Sequence, residues 1–212
     1  MITIKKNTQR KSEYFLYKND ITKVACEKVN LVIYYVLGDK MKLMIASDIH
    51  GNFENTKILI DKFNNSKADK LIILGDIYHG YSYTDTRAMM DLFSTICTKL
   101  ILIKGNCDSE FDVEQSTVSM YKEYSIRVNS RTIYFNHGHL GYPNVCFNKG
   151  DIYCHGHTHI NEIIVSDIIR CCPGSITLPR ANTPASYMII DEKGIYIYNF
   201  NDLIIKQYLF EV

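Results

Sequence analysis

The chain has seven cysteines but no C-x-x-C pair, and seven is an odd number. A fully paired disulfide framework is thereby excluded, and thiols of this kind are expected in a reducing compartment, the cytoplasm. No apolar run reaches the roughly 20 residues that a helix needs to cross a bilayer; near the start the longest is "LVIYYVLG", residues 31–38. That run is also too short for a signal peptide, and a transit peptide would lack the acids Glu13, Asp20, Glu27 and Asp39. A net charge of +1 leaves no excess with which to attract nucleic acid or an acidic membrane surface. There is no internal repeat and no low-complexity tract.

What is present is unevenly spread. The 212 residues are 46% hydrophobic and 22% charged, ordinary for one globular domain with a real core. Residues 1–40 hold eight Lys/Arg against four Asp/Glu, a net +4, and the remainder is net −3. All seven histidines, His50, His79, His137, His139, His155, His157 and His159, lie beyond residue 41. Such crowding is unusual for core histidines.

From Met41 the pattern is regular. "KLMIAS", "KLIILGD" and "KLILIKGN" are uninterrupted apolar runs of strand length. Between them lie two helical spacings, one carrying Ile58, Leu59 and Phe63, the other Met89, Met90, Leu92, Phe93 and Ile96. Strand, helix, strand, helix, strand with continuous apolar strands predicts a parallel sheet buried on both faces. The second half reads as strand pairs, turning at Asn129-Ser130, at Ser166-Asp167 and at Glu192-Lys193-Gly194. The predicted fold is a layered α/β domain over residues 41–212, with βαβ units first and antiparallel strands in the second half. Residues 1–40 fit this pattern poorly. They read as an N-terminal extension or as a translated leader before a start at Met41, since "LGDK" just upstream can be encoded by a sequence that holds a ribosome-binding site.

Five short blocks stand at predicted strand ends: "SDIHGN" (47–52), "GDIYHG" (75–80), "GNCDSE" (105–110), "NHGHLG" (136–141) and "GHTH" (156–159). Ligands of open α/β sheets gather outside the carboxyl ends of the strands. Asp48 and His50 are two apart, so in extended chain they face one side, and His157 and His159 repeat the spacing. Carboxylate, imidazole and amide oxygen together suit first-row divalent metals better than calcium. Asp76, the only acid ending the second strand, is the natural bridge between two ions. Which histidine of "HGH" binds is left open by spacing.

These blocks, in this order, resemble the calcineurin-like metallophosphoesterases, whose pattern runs D-x-H, G-D, G-N-[HCD]-[DE], H, G-H-x-H. The resemblance covers about residues 41–185 and extends to the small bacterial YfcE-like phosphodiesterase branch through "GNCD", "HGH", "GHTH", "PGSITLPR" (173–180) and "PASY" (184–187). It implies a metallophosphoesterase sandwich and two divalent ions, Mn²⁺ first, with Ni²⁺, Zn²⁺ or Fe²⁺ as alternatives. Asp48, His50, Asp76 and His159 would hold one ion; Asp76, Asn106, His137 and His157 would hold the other. The resemblance implies that such ions would acidify a bound water and supply hydroxide to phosphorus.

Asn106 and His139 are the catalytic candidates, His139 lying either near the phosphate or behind a ligand. Asp108 is expected to orient a ligand, Cys107 to be no nucleophile, and His79 to contact substrate or solvent. His155 matches no ligand of the family and reads as a packing residue. The expected activity is hydrolysis of a small phosphate diester, with no nucleic-acid or membrane partner and a homo-oligomer allowed. The alternatives are a phosphomonoesterase on a nucleotide or protein, and a scaffold like the retromer subunit that shares the fold. Two departures from the branch stand out: the loop "YSYTDTR" (81–87), and Cys172 where Asn commonly precedes "PGS".

Overall fold

The computed structural model describes residues 12–17, 21–26, 31–36, 41–79, 86–128 and 130–211. Three strands come first: β1 (Ser12–Tyr17), β2 (Ile21–Cys26) and β3 (Leu31–Val36). The alternating unit follows as β4 (Leu43–Ala46), α1 (Phe53–Ser66), β5 (Lys70–Ile73), α2 (Thr86–Ser94), β6 (Leu100–Ile103), α3 (Glu110–Gln115) and β7 (Met120–Tyr121). The strand-rich half holds β8 (Glu123–Val128), β9 (Arg131–Asn136), β10 (Ile152–Cys154), β11 (Asn161–Val165), β12 (Ile169–Pro173), β13 (Ser186–Ile190), β14 (Gly194–Asn199) and β15 (Ile204–Leu209). Of the loop "YSYTDTR", residues 81–85 lie outside the described residues. So does Asn129 of the turn between β8 and β9.

The strands form two sheets. One runs β15-β14-β13-β4-β5-β6-β7 and the other β1-β2-β3-β8-β9-β10-β12-β11. β4, β5, β6 and β7 are parallel, as continuous apolar runs joined by crossovers require. The hairpins β8-β9, β11-β12 and β13-β14 are antiparallel. β10 is the exception in this half, parallel to both β9 and β12. It reaches the sheet after a 15-residue connection instead of a tight turn. β3 pairs in parallel with β8 through Ile33, Tyr34 and Tyr35, so the first three strands continue the second sheet.

Alternation along the parallel strands builds two cores. Met44, Ala46, Leu71, Ile73, Leu100 and Leu102 point to the helices and pack with Leu59, Ile60, Phe63, Met89 and Phe93. Leu43, Ile45, Ile72, Ile101 and Ile103 point the other way, onto Tyr124, Ile126, Ile133, Phe135, Ile152 and Cys154 of the second sheet. Each such buried side chain contributes about 1.5–3 kcal/mol relative to its exposed form. The inward face of α1 is Thr56, Leu59, Ile60 and Phe63. Ile58, placed on that face by the sequence reading, is exposed, because the i, i+3, i+4, i+7 stripe runs through Ile60 instead. Among the described residues no helix is long and apolar enough to cross a membrane.

Candidate metal centre

The candidate donors follow the carboxyl ends of five strands. Asp48 and His50 follow β4, Asp76 follows β5, Asn106 follows β6, His137 follows β9, and His157 and His159 follow β10. Five of these seven hold positive φ: Asp48 (54°), His50 (50°), Asp76 (52°), His157 (68°) and His159 (61°). This corrects the extended geometry inferred from their spacing. Asp48/His50 and His157/His159 curl through left-handed backbone, and that curl aims them inward. The conformation costs an L-residue roughly 1–2 kcal/mol and persists only where neighbours hold it. Here they do: Asp48 N donates to Gly75 O at 3.1 Å, His50 N to Asp76 O at 2.8 Å, and Ser175 Oγ to Asp48 O at 2.7 Å.

Two groups of donor atoms result, each within 4.8 Å of one another: Asp48, His50, Asp76 and His159, and Asp76, His137 and His157. Asp76 belongs to both. His159 Nε2 stands 3.3 Å from Asp48 Oδ1, His50 Nε2 3.8 Å from Asp76 Oδ2, and His137 Nε2 3.3 Å from Asp76 Oδ1. Asn106 Oδ1 completes the second group, 3.0 Å from His137 Nε2.

The outer ring nitrogens fix the tautomers. His50 Nδ1 donates to His79 O (2.8 Å), His137 Nδ1 to Leu74 O (2.6 Å) and His159 Nδ1 to Leu178 O (2.7 Å). A carbonyl only accepts, so each neutral ring turns the lone pair of Nε2 inward. His50 Nε2 and His159 Nε2 then face each other at 3.3 Å as two acceptors. The buried Asp48 Oδ1 beside them has no hydrogen-bond donor. Lone pairs converging on a bare carboxylate oxygen are the environment of a cation, and the residues fit divalent metal ions.

The electrostatics agree. Burial raises the Asp48 carboxyl above its ordinary value despite His137, Ser47 and His159. Asp76 is also opposed by burial, but His137 and the Cys107 N–H hold it well below the usual carboxylate range. His137 is raised: burial works against its charged form and is outweighed by Asp76 and Asp48, which draw a proton to a place a metal cation would take. His159 is lowered by burial, with the positive charge of Arg180 acting in the same sense.

Two glycines let the loops meet. A Cβ on Gly105 would stand 2.1 Å from Asp76 Oδ1, and one on Gly156 1.9 Å from Ser47 Oγ.

The remaining sequence candidates border these groups. Asp108 is buried; its Oδ1 accepts from Ile77 N (2.8 Å) and its Oδ2 from Gly105 N (2.8 Å), tying the Asp76 loop to the Asn106 loop. Cys107 is exposed and gives its N–H to Asp76 Oδ1 at 2.8 Å. Partial burial and the negative charge of Asp76 push its thiol up to about 11, which removes the thiolate at neutral pH. His79 supports His50 through its backbone carbonyl while its ring bonds Asp112 Oδ1 at 2.8 Å. His139 is exposed, its ring 5.4 Å from that of His137 and 6.2 Å from that of His157. Burial and the charges of His137 and His157 lower it. His155 stays outside both groups, 3.4 Å from Glu162.

Sequence reasoning passed over Ser175, which holds the Asp48 carbonyl and receives Thr177 N (3.0 Å) and Leu178 N (2.8 Å). It also missed α3, although Ser109-x-x-Asp112 is a capping-box signature and the box is formed. The carbonyls of Leu74, His79 and Leu178 carry no residue signal at all.

This geometry, on this pair of sheets, defines a metallophosphoesterase. Residues 41–194 match the calcineurin-like phosphoesterase superfamily domain, and the chain belongs to that superfamily. It is similar to phosphodiesterase YfcE of Escherichia coli K12, 31% identical over 173 residues that span 76% of this chain and 94% of that protein. Probable metallophosphoesterase YsnB of Bacillus subtilis is 30% identical over 160 residues, 71% of this chain and 83% of that one. The solved structure of the phosphoesterase YfcE from E. coli superposes with a TM-score of 0.75 at 30% identity, covering 81% of this chain and all of the other.

Proposed function

We propose that the chain is a phosphodiesterase that works with two divalent ions, Mn²⁺ first among them, and hydrolyses a small phosphate diester. The observation that carries this reading is the place of Asp76 in both donor groups. One carboxylate serving two clusters is how a protein sets two ions side by side. Asp48, His50 and His159 would complete one ion's shell, and Asn106, His137 and His157 the other's. The ions would supply Lewis acidity toward the phosphoryl oxygens and an acidified water as nucleophile.

The chain's own residues do the rest. Asn106 turns its amide oxygen inward, and Asp108 holds its loop in place. His139, exposed beside His137 and His157, offers an N–H to a phosphoryl oxygen as charge builds there. Cys107 keeps its proton and makes no covalent bond to phosphorus. It also carries no positive charge to assist a poor leaving group, which favours diesters over monoesters.

The test joins metal analysis with turnover of bis(p-nitrophenyl) phosphate and p-nitrophenyl phosphate in Mn²⁺. Two ions per chain and a higher kcat/KM on the diester are expected. Preference for the monoester would move the reading to a phosphomonoesterase, and protein that takes up no ion in Mn²⁺ and turns over neither ester would remove it.

A further inference from the structure

The segment "PGSITLPR" is wired to the first donor group more closely than a strand connection needs. Ile176 N donates to Ser47 O (3.3 Å), Ser175 Oγ to Asp48 O (2.7 Å), and Arg180 N to His159 O (3.1 Å), while Leu178 O receives His159 Nδ1 (2.7 Å). Immediately after Arg180 the backbone turns through two consecutive left-handed residues, Ala181 (φ 52°) and Asn182 (φ 56°), where glycine would be less strained. The turn is locked by Thr183, whose N (3.0 Å) and Oγ1 (2.7 Å) both donate to Arg180 O. These contacts fix where the Arg180 side chain leaves the backbone.

That side chain is exposed, and among the described residues its guanidinium has no carboxylate partner. Three other cations are paired: Lys104 with Glu110, Lys62 with Asp202, and Arg170 with Glu162. The Arg180 N–H bonds the His159 carbonyl at 3.1 Å, which seats this residue beside the first donor group. The exposed side chain of Arg180 therefore starts from the rim of the site, beside His159.

Resting on the phosphodiesterase reading above, we infer that Arg180 is a specificity-determining residue, which takes a second anionic group on the substrate, such as a phosphate carried by one of the esterified alcohols. A guanidinium presents a planar fork of N–H donors that matches two phosphate oxygens at once. A rim position suits an anion other than the one being cleaved, and the locked turn sets where the side chain starts.

The probes are the p-nitrophenyl ester of thymidine 5′-monophosphate and the same ester carrying a 3′-phosphate. They differ only in the second anion. The wild-type enzyme is expected to favour the 3′-phosphorylated ester in kcat/KM. Arg180→Gln is expected to lower that ratio about tenfold through KM, with the simple ester unchanged, and Arg180→Lys to restore part of it. Calorimetry of thymidine 3′,5′-bisphosphate against thymidine 5′-monophosphate gives a second readout, with the same loss expected in the bisphosphate alone. Equal losses on both probes, or none on either, would overturn the inference while leaving the phosphodiesterase reading intact. If neither ester is cleaved, the phosphodiesterase reading fails, and the calorimetric difference between the two nucleotides still decides the role of Arg180.

Discussion

Replacing Gly105 by alanine puts the arrangement around Asp76 to a direct test. The added methyl would lie 2.1 Å from Asp76 Oδ1 and 2.2 Å from Asp76 N. Non-bonded carbon settles at roughly 3.5 Å, so the overlap is about 1.4 Å. The carboxylate is held by the Cys107 N–H at 2.8 Å, and the second clash is with backbone, so neither obstacle turns aside freely. Overpacking of this kind costs about 1–3 kcal/mol. For a chain of this size that is a fall in Tm of roughly 3–10 °C. The chemistry should suffer more, because a displacement of ~1 Å in a reacting group costs on the order of 10²-fold in rate. Thermal melts, metal stoichiometry and kcat/KM on bis(p-nitrophenyl) phosphate, measured on one preparation, separate the two effects. A Gly105→Ala protein that melts within a degree of wild type and turns over within threefold would show that Asp76 does not stand where the structure puts it, or that the site does not depend on it.

Four further expectations follow from the same geometry. Asp76→Asn should lower the occupancy of both ions together and reduce hydrolysis by several orders of magnitude; near-normal turnover with two ions bound would refute the shared carboxylate. Cys107→Ser should leave diester hydrolysis within about tenfold, and Cys107→His should raise monoester turnover relative to diester turnover; complete inactivation of the serine variant, folded and metal-loaded, would restore the thiol as nucleophile. A chain beginning at Met41 should fold and hydrolyse like the full chain, since every donor lies beyond that residue; loss of folding would show that the pairing of β3 with β8 is needed. Asp112 sits below its ordinary value, because Ser109 and His79 outweigh burial. Its contribution to stability is thus full above the unfolded pKa of about 3.9 and is lost as pH falls through the folded value. Asp112→Asn should flatten that part of the acid dependence of Tm, which a pH series of melts will show.

Much of the layout was legible because apolar runs and donor-bearing blocks are properties of residue type. "KLMIAS", "KLIILGD" and "KLILIKGN" could be nothing polar or half-buried, and they became the parallel centre of one sheet. The donor types after each run marked the loops that meet. The path by which they meet was not legible. Asp48, His50, Asp76, His157 and His159 are ordinary residues in left-handed backbone, and only the contacts of neighbouring strands reveal it. The addition of β1, β2 and β3 to the second sheet was hidden as well, since edge pairing is decided by tertiary partners and not by local pattern.

The tautomers of His50, His137 and His159 are set by the carbonyls of His79, Leu74 and Leu178. A main-chain carbonyl is present whatever side chain sits beside it, so no single substitution at Leu74, His79 or Leu178 can delete the acceptor. A one-residue insertion or deletion near any of the three would carry it out of reach. The supports of this site are therefore robust to spelling and sensitive to length. A library that randomises those three positions should retain far more active members than one that lengthens or shortens the loops that carry them.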